Sequence, residues 1–243
     1  MQDLSTVPPQ LQSIDKAIVD AILSARIQPG ARLSENQLAA LFSVSRTRVR
    51  EAMMRLEARC IVTVSPRRGW FVSEPSAEEA RHVYGARRII ESGLLRSMPC
   101  LKAEDRQALH RHLEDERQAI AAADRQRLTC LMGDFHIRLA EIAGNPVLTE
   151  VLRDLTARTI LISLMYQSVV HALQSHDGHC AIVAALEAND PEAAAALAIR
   201  HLDEVEEGLD LTRRPDPLAD LRRSLQPDTE APSASPILKI INR

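Results

Sequence analysis

Apolar positions along this chain repeat at helical rather than strand spacing almost throughout. Leu11, Ile14, Ala17 or Ile18, Ala21 and Ile22 line one face of an amphipathic helix over residues 10–26, and Gln28-Pro29-Gly30 closes it with a turn. Ser34 can cap a second helix, with Gln37 at the third position completing a capping box. The turn Phe42-Ser43-Val44 leads to Ser45, which caps a third helix whose Val49, Met53 and Leu56 face inward. The period then changes: Ile61–Val64 and Trp70–Val72 read as two short strands around the turn Ser65–Gly69. From about residue 77 to 211 the helical spacing returns. Pro99, Gly144-Asn145-Pro146 and Asn189-Asp190-Pro191 break it into candidate helices over 77–97, 103–122, 124–143, 146–173, 176–189 and 191–210.

The expected fold is therefore mostly α. Three helices and a two-stranded hairpin make an N-terminal winged helix-turn-helix over residues 10–75. An antiparallel bundle of about six helices follows over 76–211. Residues 73–79 form the linker and the start of the next helix. Residues 1–9 are expected to be flexible, and 212–243, rich in Pro, Ser and Asp, to be a disordered tail. With aromatics at 2% of the chain and hydrophobic residues at 45%, the core must be built from Leu, Ile, Val and Ala. The four cysteines are scattered without a CxxC pair, which reads as reduced thiols. The N-terminus lacks the basic and apolar regions of a signal peptide, and no apolar run approaches the ~20 residues of a membrane span. A soluble cytoplasmic protein is expected.

The formal net charge of −3 argues against a generic nucleic-acid coat, but it is unevenly spread. Residues 1–74 hold ten Lys and Arg against seven Asp and Glu, a net +3. The remainder holds 20 against 26, a net −6. A basic module on an acidic body suits a DNA reader with a separate control domain. Within the run Leu33–Arg55, the capped third helix opens with Arg46, Arg48 and Arg50 inside one and a half turns. A helix in the DNA major groove presents its N-terminal residues to base edges, and Arg can pair bidentately with guanine N7 and O6. Arg46 and Arg50, four residues apart, share one face; Arg48 points elsewhere. Thr47 stands at the groove entry, where it could touch a phosphate or a thymine methyl. In the wing, Arg67 and Arg68 would lie near phosphates or the minor groove, with Gly69 permitting the sharp turn.

The segment PGARLSENQLAALFSVSRTRVREAMMRLEARCIV resembles the signature of the GntR family of transcriptional regulators, and the likeness runs over about residues 10–75. The resemblance implies base contacts by Arg46 and Arg50. It implies further groove or phosphate contacts by Ser45 and Thr47, and a minor-groove contact at Gly69. Asn36 occupies a position often charged in the family and is kept as a candidate contact. Two departures stand out: Arg48 where relatives usually carry Pro, and Ala58-Arg59 where they carry Glu-Gly.

A second likeness lies in the body. GDFHIRLAEIAGNPVL (133–148) resembles the all-helical, FCD-type ligand-binding domain of the FadR branch of that family. So do YGARRIIESGLL (84–95), with Arg87 and Glu91 in an R-x-x-x-E arrangement, and residues 179–205. His136, His179 and His201 fall on three different helices, and an antiparallel return between the last two can bring imidazoles to one point. Three imidazoles suit Zn, Ni or another borderline divalent metal. The resemblance implies that these histidines are ligands, joined in many relatives by an Asp one turn before the first; here Met132 stands there, and Asp134 projects to nearly the opposite face. Without a carboxylate the metal's charge stays unneutralised, which favours an anionic effector completing the shell. The expected effector is a small carboxylate held by Arg87, His136, His179 and His201.

The leading function is thus a homodimeric transcription regulator, a repressor, that binds double-stranded operator DNA and is controlled by a small carboxylate. It is not read as an enzyme. The alternatives are a metal-dependent enzyme fused to a DNA-binding module, since a three-His site could activate water, and a constitutive DNA-binding protein with no effector.

Overall fold

The computed structural model of the chain describes residues 13–166 and 172–212. The expected flexible stretch 1–9, Leu11 of the first helix, His171 and residues 213–243 of the expected tail lie outside them. α1 (Ile14–Leu23) buries Ile14, Ile18, Val19 and Ile22, so Ile18 rather than Ala17 carries the apolar stripe. The chain then reverses through Gly30, whose φ of +73° favours glycine and whose added Cβ would lie 2.9 Å from the Glu74 carboxylate. The reversal lays β1 (Arg32–Leu33) against a later strand.

α2 (Glu35–Phe42) begins at Ser34, whose Oγ accepts the Gln37 N–H; this is the serine half of the expected box. Ser43, left-handed at φ +55°, turns the chain, and Ser45 Oγ accepts the Arg48 N–H to start α3 (Arg46–Ala58). α3 buries Val49, Ala52, Met53 and Leu56. β2 (Val62–Ser65) and β3 (Gly69–Val72) pair antiparallel from Val62↔Val72 to Ser65↔Gly69. The sheet has three strands in the order β1-β3-β2, with Arg32↔Phe71 and Leu33↔Trp70 in register. The expected two-stranded wing, β2 and β3, is thus joined by a third strand, β1. Two residues are too few to display alternation, so β1 has no pattern of its own to read.

Six helices follow: α4 (Ala77–Arg96), α5 (Ala103–Ala121), α6 (Arg125–Ile142), α7 (Pro146–Tyr166), α8 (Ala172–Glu187) and α9 (Pro191–Glu207). Ser76 and Glu79 form a full capping box at α4, and Asp190 caps α9 ahead of Pro191 at its first position. α8 starts at Ala172 rather than at the expected 176, because no Gly or Pro between residues 165 and 177 punctuates the chain there; the expected course of α7 beyond Tyr166 lies partly outside the described residues. One apolar core links Leu95, Leu109, Leu113, Phe135, Leu139, Ile182 and Val183, and a second joins Tyr84, Ile162, Tyr166 and Leu202 across α4, α7 and α9. No described helix is long and apolar enough to cross a membrane.

α7 is the seam between the reader and the bundle. Its Ala157, Ile160 and Leu161 belong to the same buried cluster as Ile18, Ile22, Met53 and Leu56. Polar ties flank this apolar contact. Arg59 at the end of α3 binds Asp154 of α7, with Nε to Oδ2 at 2.7 Å, and Arg153 of α7 binds Asp20 of α1. Arg59, one of the two departures from the family pattern, thus has a structural partner on the bundle.

Candidate functional site

The reader's surface follows from how α3 is buried. With Val49, Met53 and Leu56 turned inward, Ser45, Arg46, Thr47, Arg48 and Arg50 are left exposed together. Asn36 on α2 is exposed beside them, as are Arg67 and Arg68 at the wing tip. The wing turns through Arg67 at φ +64° and Gly69 at φ +95°, and the Arg68 guanidinium lies over the Phe71 ring at 5.1 Å. Arg46 and Arg50 are not free on this face. Both bind the carboxylate of Glu35, which also accepts the Trp70 indole N–H.

The second site lies inside the bundle. His136 on α6, His179 on α8 and His201 on α9 are all buried, with one ring nitrogen from each lying within 4.8 Å of the other two. Ring centroids stand 4.6 to 5.3 Å apart, and Phe135 stacks on His179 at 3.8 Å. Carboxylates set which nitrogen faces inward. Glu91 accepts His136 Nδ1–H at 2.7 Å, and Glu116 accepts His179 Nδ1–H at 2.8 Å. Each Nε2 lone pair is thereby left for the shared point. His179 Nε2 and His201 Nδ1 are buried without a hydrogen-bond partner among the described residues, an arrangement that costs free energy unless something binds there. Gly178 admits His201 to this point, since a Cβ on it would lie 2.7 Å from Nδ1.

Charge follows burial. Burial disfavours the imidazolium at all three histidines: His136 falls to about 4 despite the opposing pull of Glu91, while His179 and His201 are also lowered. They are neutral near pH 7, the form that ligates a metal. Burial would raise the carboxyls, but Arg87 and His136 outweigh it and hold Glu91 at about 2. Bonds from His112, His176 and His179 hold Glu116 well below its usual range. The three imidazoles fit a borderline divalent ion, and among the described residues no carboxylate oxygen joins them at their meeting point.

A cavity of about 280 Å³ opens beside the triad, lined by Arg87, Met132, Gly133, His136, Thr159, Ile160 and His201 among others. Arg87 is buried, with Nε on Glu91 at 2.6 Å and Nη1 on Thr159 at 3.1 Å, while Nη2 has no partner. An unpaired guanidinium nitrogen on a cavity wall suits an anion. Met132 lines this wall, whereas Asp134 bonds Arg138 on the other side of α6, as its spacing implied.

The structure therefore brings together Arg87, His136, His179 and His201, the four residues singled out for effector binding. Reasoning from sequence missed three others. Glu91, placed by the sequence only beside Arg87 in the R-x-x-x-E arrangement, bridges Arg87 and His136. Glu116, fully buried among His112, His176 and His179, has His112 one helical turn away and meets the other two histidines across 60 and 63 residues. Glu35 could have been found from its place in the quoted signature.

The family described as "Bacterial regulatory proteins, gntR family" matches residues 10–72, and the FCD domain matches residues 82–204. The HTH-type transcriptional repressor RspR of Escherichia coli is 27% identical over 208 residues, which span 85% of this chain and 91% of that protein. The HTH-type transcriptional repressor NanR of Cronobacter sakazakii is 31% identical over 197 residues, 71% of this chain and 74% of the relative. Among solved structures, a GntR transcriptional regulator from Rhodococcus sp. RHA1 superposes with a TM-score of 0.69 at 27% identity. That match covers 80% of this chain and 94% of that one.

Proposed function

The chain belongs to the gntR family of bacterial regulatory proteins, with an FCD domain behind its DNA-binding module, and from that premise we propose that it is a repressor released or recruited by a small carboxylate. A member of this family is a DNA-binding transcription regulator; what the buried site adds is the control. The observation that carries this reading is Arg87: a buried guanidinium with one unpaired nitrogen, on the wall of a cavity it shares with His136 and His201.

In this reading a carboxylate enters the cavity and meets Arg87 Nη2. His136, His179 and His201 would hold a divalent ion, Zn or Ni, which when bound supplies positive charge that an anionic effector neutralises. Glu91 and Glu116 keep two of the rings in the required tautomer. α7 carries the signal, because Ile160 lines the cavity and packs in the core beneath α1 and α3. A ligand that displaces Ile160 presses on the seat of the reader. Two copies related by a two-fold axis would place two α3 helices on a pseudo-palindromic operator, and the carboxylate would alter their spacing. Effector and operator affinities must then be linked by the same factor in both directions.

Isothermal titration of untagged protein with mono-, di- and hydroxycarboxylates and sugar acids, with and without chelator, tests the site. An acid that binds the wild type and loses affinity with chelator and in His179→Gln is the expected result. Binding indifferent to both removes the metal from the site, and no binding by any acid removes the effector class. RspR and NanR are named as repressors, which favours repression over activation here.

A further inference from the structure

Glu35 is the first residue of α2, and its side chain turns toward α3 with only 16% of its surface exposed. Trp70, buried in β3 opposite Leu33, donates its indole N–H to Glu35 Oε1 at 3.1 Å and so fixes the carboxylate from behind. On its outer side the same carboxylate takes Arg50 in a two-point grip, Nε to Oε1 at 3.0 Å and Nη2 to Oε2 at 3.1 Å. Arg46 Nη2 reaches Oε2 more loosely, at 3.4 Å. The Arg50 bonds come first among the influences that hold the Glu35 carboxyl down at about 2, so it is ionised across the pH range in which DNA stays paired.

A guanidinium has two donor edges suited to a planar partner. The Nε–Nη2 edge of Arg50 is occupied by Glu35. The terminal edge, Nη1 with the second hydrogen of Nη2, has no bond among the described residues, and it has the fork spacing that spans guanine O6 and N7. An exposed arginine otherwise samples many rotamers, and a fixed carboxylate removes that freedom before any DNA arrives. We infer that Glu35 is a positioning residue for sequence reading, locking Arg50 so that its terminal edge addresses one guanine. This rests on the DNA-binding role of α3. A mere counter-ion would act differently: a carboxylate beside phosphates weakens binding to every sequence alike.

The test begins by selecting operator sequences from a random duplex library with the full-length protein. Affinities are then measured for the selected site, for the same site with each guanine in turn replaced by 7-deazaguanine, and for random duplex. In the wild type, one replacement per half-site should cost on the order of ten-fold in affinity. In Glu35→Gln that penalty should shrink toward unity while random duplex binds as well or better, with the thermal melt and the emission of the single tryptophan, Trp70, unchanged. Arg50→Lys supplies a second variant: it keeps the charge and loses the fork, and should lose the same penalty at an unaltered salt slope. A penalty that persists in Glu35→Gln or in Arg50→Lys overturns the inference. So does a Glu35→Gln variant that gains equally on selected and random duplex, since that is the behaviour of a counter-ion. A wild-type protein that enriches no sequence overturns the DNA-reading role itself, and the positioning role with it.

Discussion

Gly178 lies so close against the His201 ring that a Cβ at that position would stand 2.7 Å from Nδ1 and 3.3 Å from Cγ. The neighbouring atoms belong to the ring and its stem, so relief requires moving His201 as a whole. Gly178→Ala should therefore fold but pull one imidazole from the triad. Zn²⁺ affinity is expected to fall by about 10–100-fold, comparable to the loss of a group that orients a metal ligand. Competitive titration against a coloured chelator reads it. Unchanged affinity would mean that His201 does not contribute a ligand.

Acid should loosen the metal-free fold in two stages. The folded chain holds His136 near 4 where the unfolded chain titrates at 6.5. Below pH 6.5 the unfolded state takes up a proton that the folded state refuses, so stability present above that pH is lost progressively down to about 4. The shift corresponds to on the order of 3 kcal/mol. Burial lowers His179 and His201 in the same direction. Glu91, held at about 2 against an ordinary 4.5, adds a second loss between those values. Urea denaturation in chelator between pH 7.5 and 4 should show a falling midpoint, and His136→Gln should flatten the upper stage. A midpoint constant from pH 7 to 5 would contradict the buried neutral triad.

Arg50 and Arg67 should fail differently. Arg50→Ala is expected to cost about 1–3 kcal/mol on the selected site and to relax discrimination at one base pair. Arg67→Ala, at the wing tip, should weaken all sequences alike and reduce the salt slope by about one. Fluorescence anisotropy over a salt series distinguishes them. Equal losses on specific and random DNA for both variants would remove base reading from Arg50.

The tie between Arg59 and Asp154 joins the reader to α7 with both side chains partly exposed. A double-mutant cycle with Arg59→Ala and Asp154→Ala should give an interaction of about 1 kcal/mol or less in unfolding. Its larger consequence should be in linkage: Arg59→Ala is expected to bind carboxylate normally yet transmit less of that binding to operator affinity. Full retention of the shift would place the coupling in the apolar contact of Ile160 and Leu161 and the Arg153–Asp20 tie.

How much of this was legible in the sequence depended on whether the signal was local. Caps at Ser34 and Ser45, the apolar stripe of α3 and the breakers at Asn145-Pro146 and Asn189-Asp190-Pro191 act within a few residues, and the elements they define fall close to their expected limits. Strand β1 was missed because two residues carry no period. α8 starts earlier than expected because nothing in the chain punctuates the stretch before residue 176. At the buried site, the three histidines and Arg87 could be chosen from spacing and resemblance. Glu116 could not, because its meeting with His176 and His179 depends on how α5 packs on α8. Nor could the role of Arg59, which looked like a lost glycine and is a tie to another helix.

The most direct measurement is the affinity for the selected operator as a function of Zn²⁺ and of whichever carboxylate binds the wild type, repeated in His179→Gln, whose side chain can still donate to Glu116. A shift of about 5- to 150-fold in operator affinity on adding the acid, mirrored by the same factor in acid affinity on adding operator and lost in the variant, is the expected result. Operator affinity indifferent to a bound acid, or a shift that survives in His179→Gln, would contradict control through the buried histidine–arginine site.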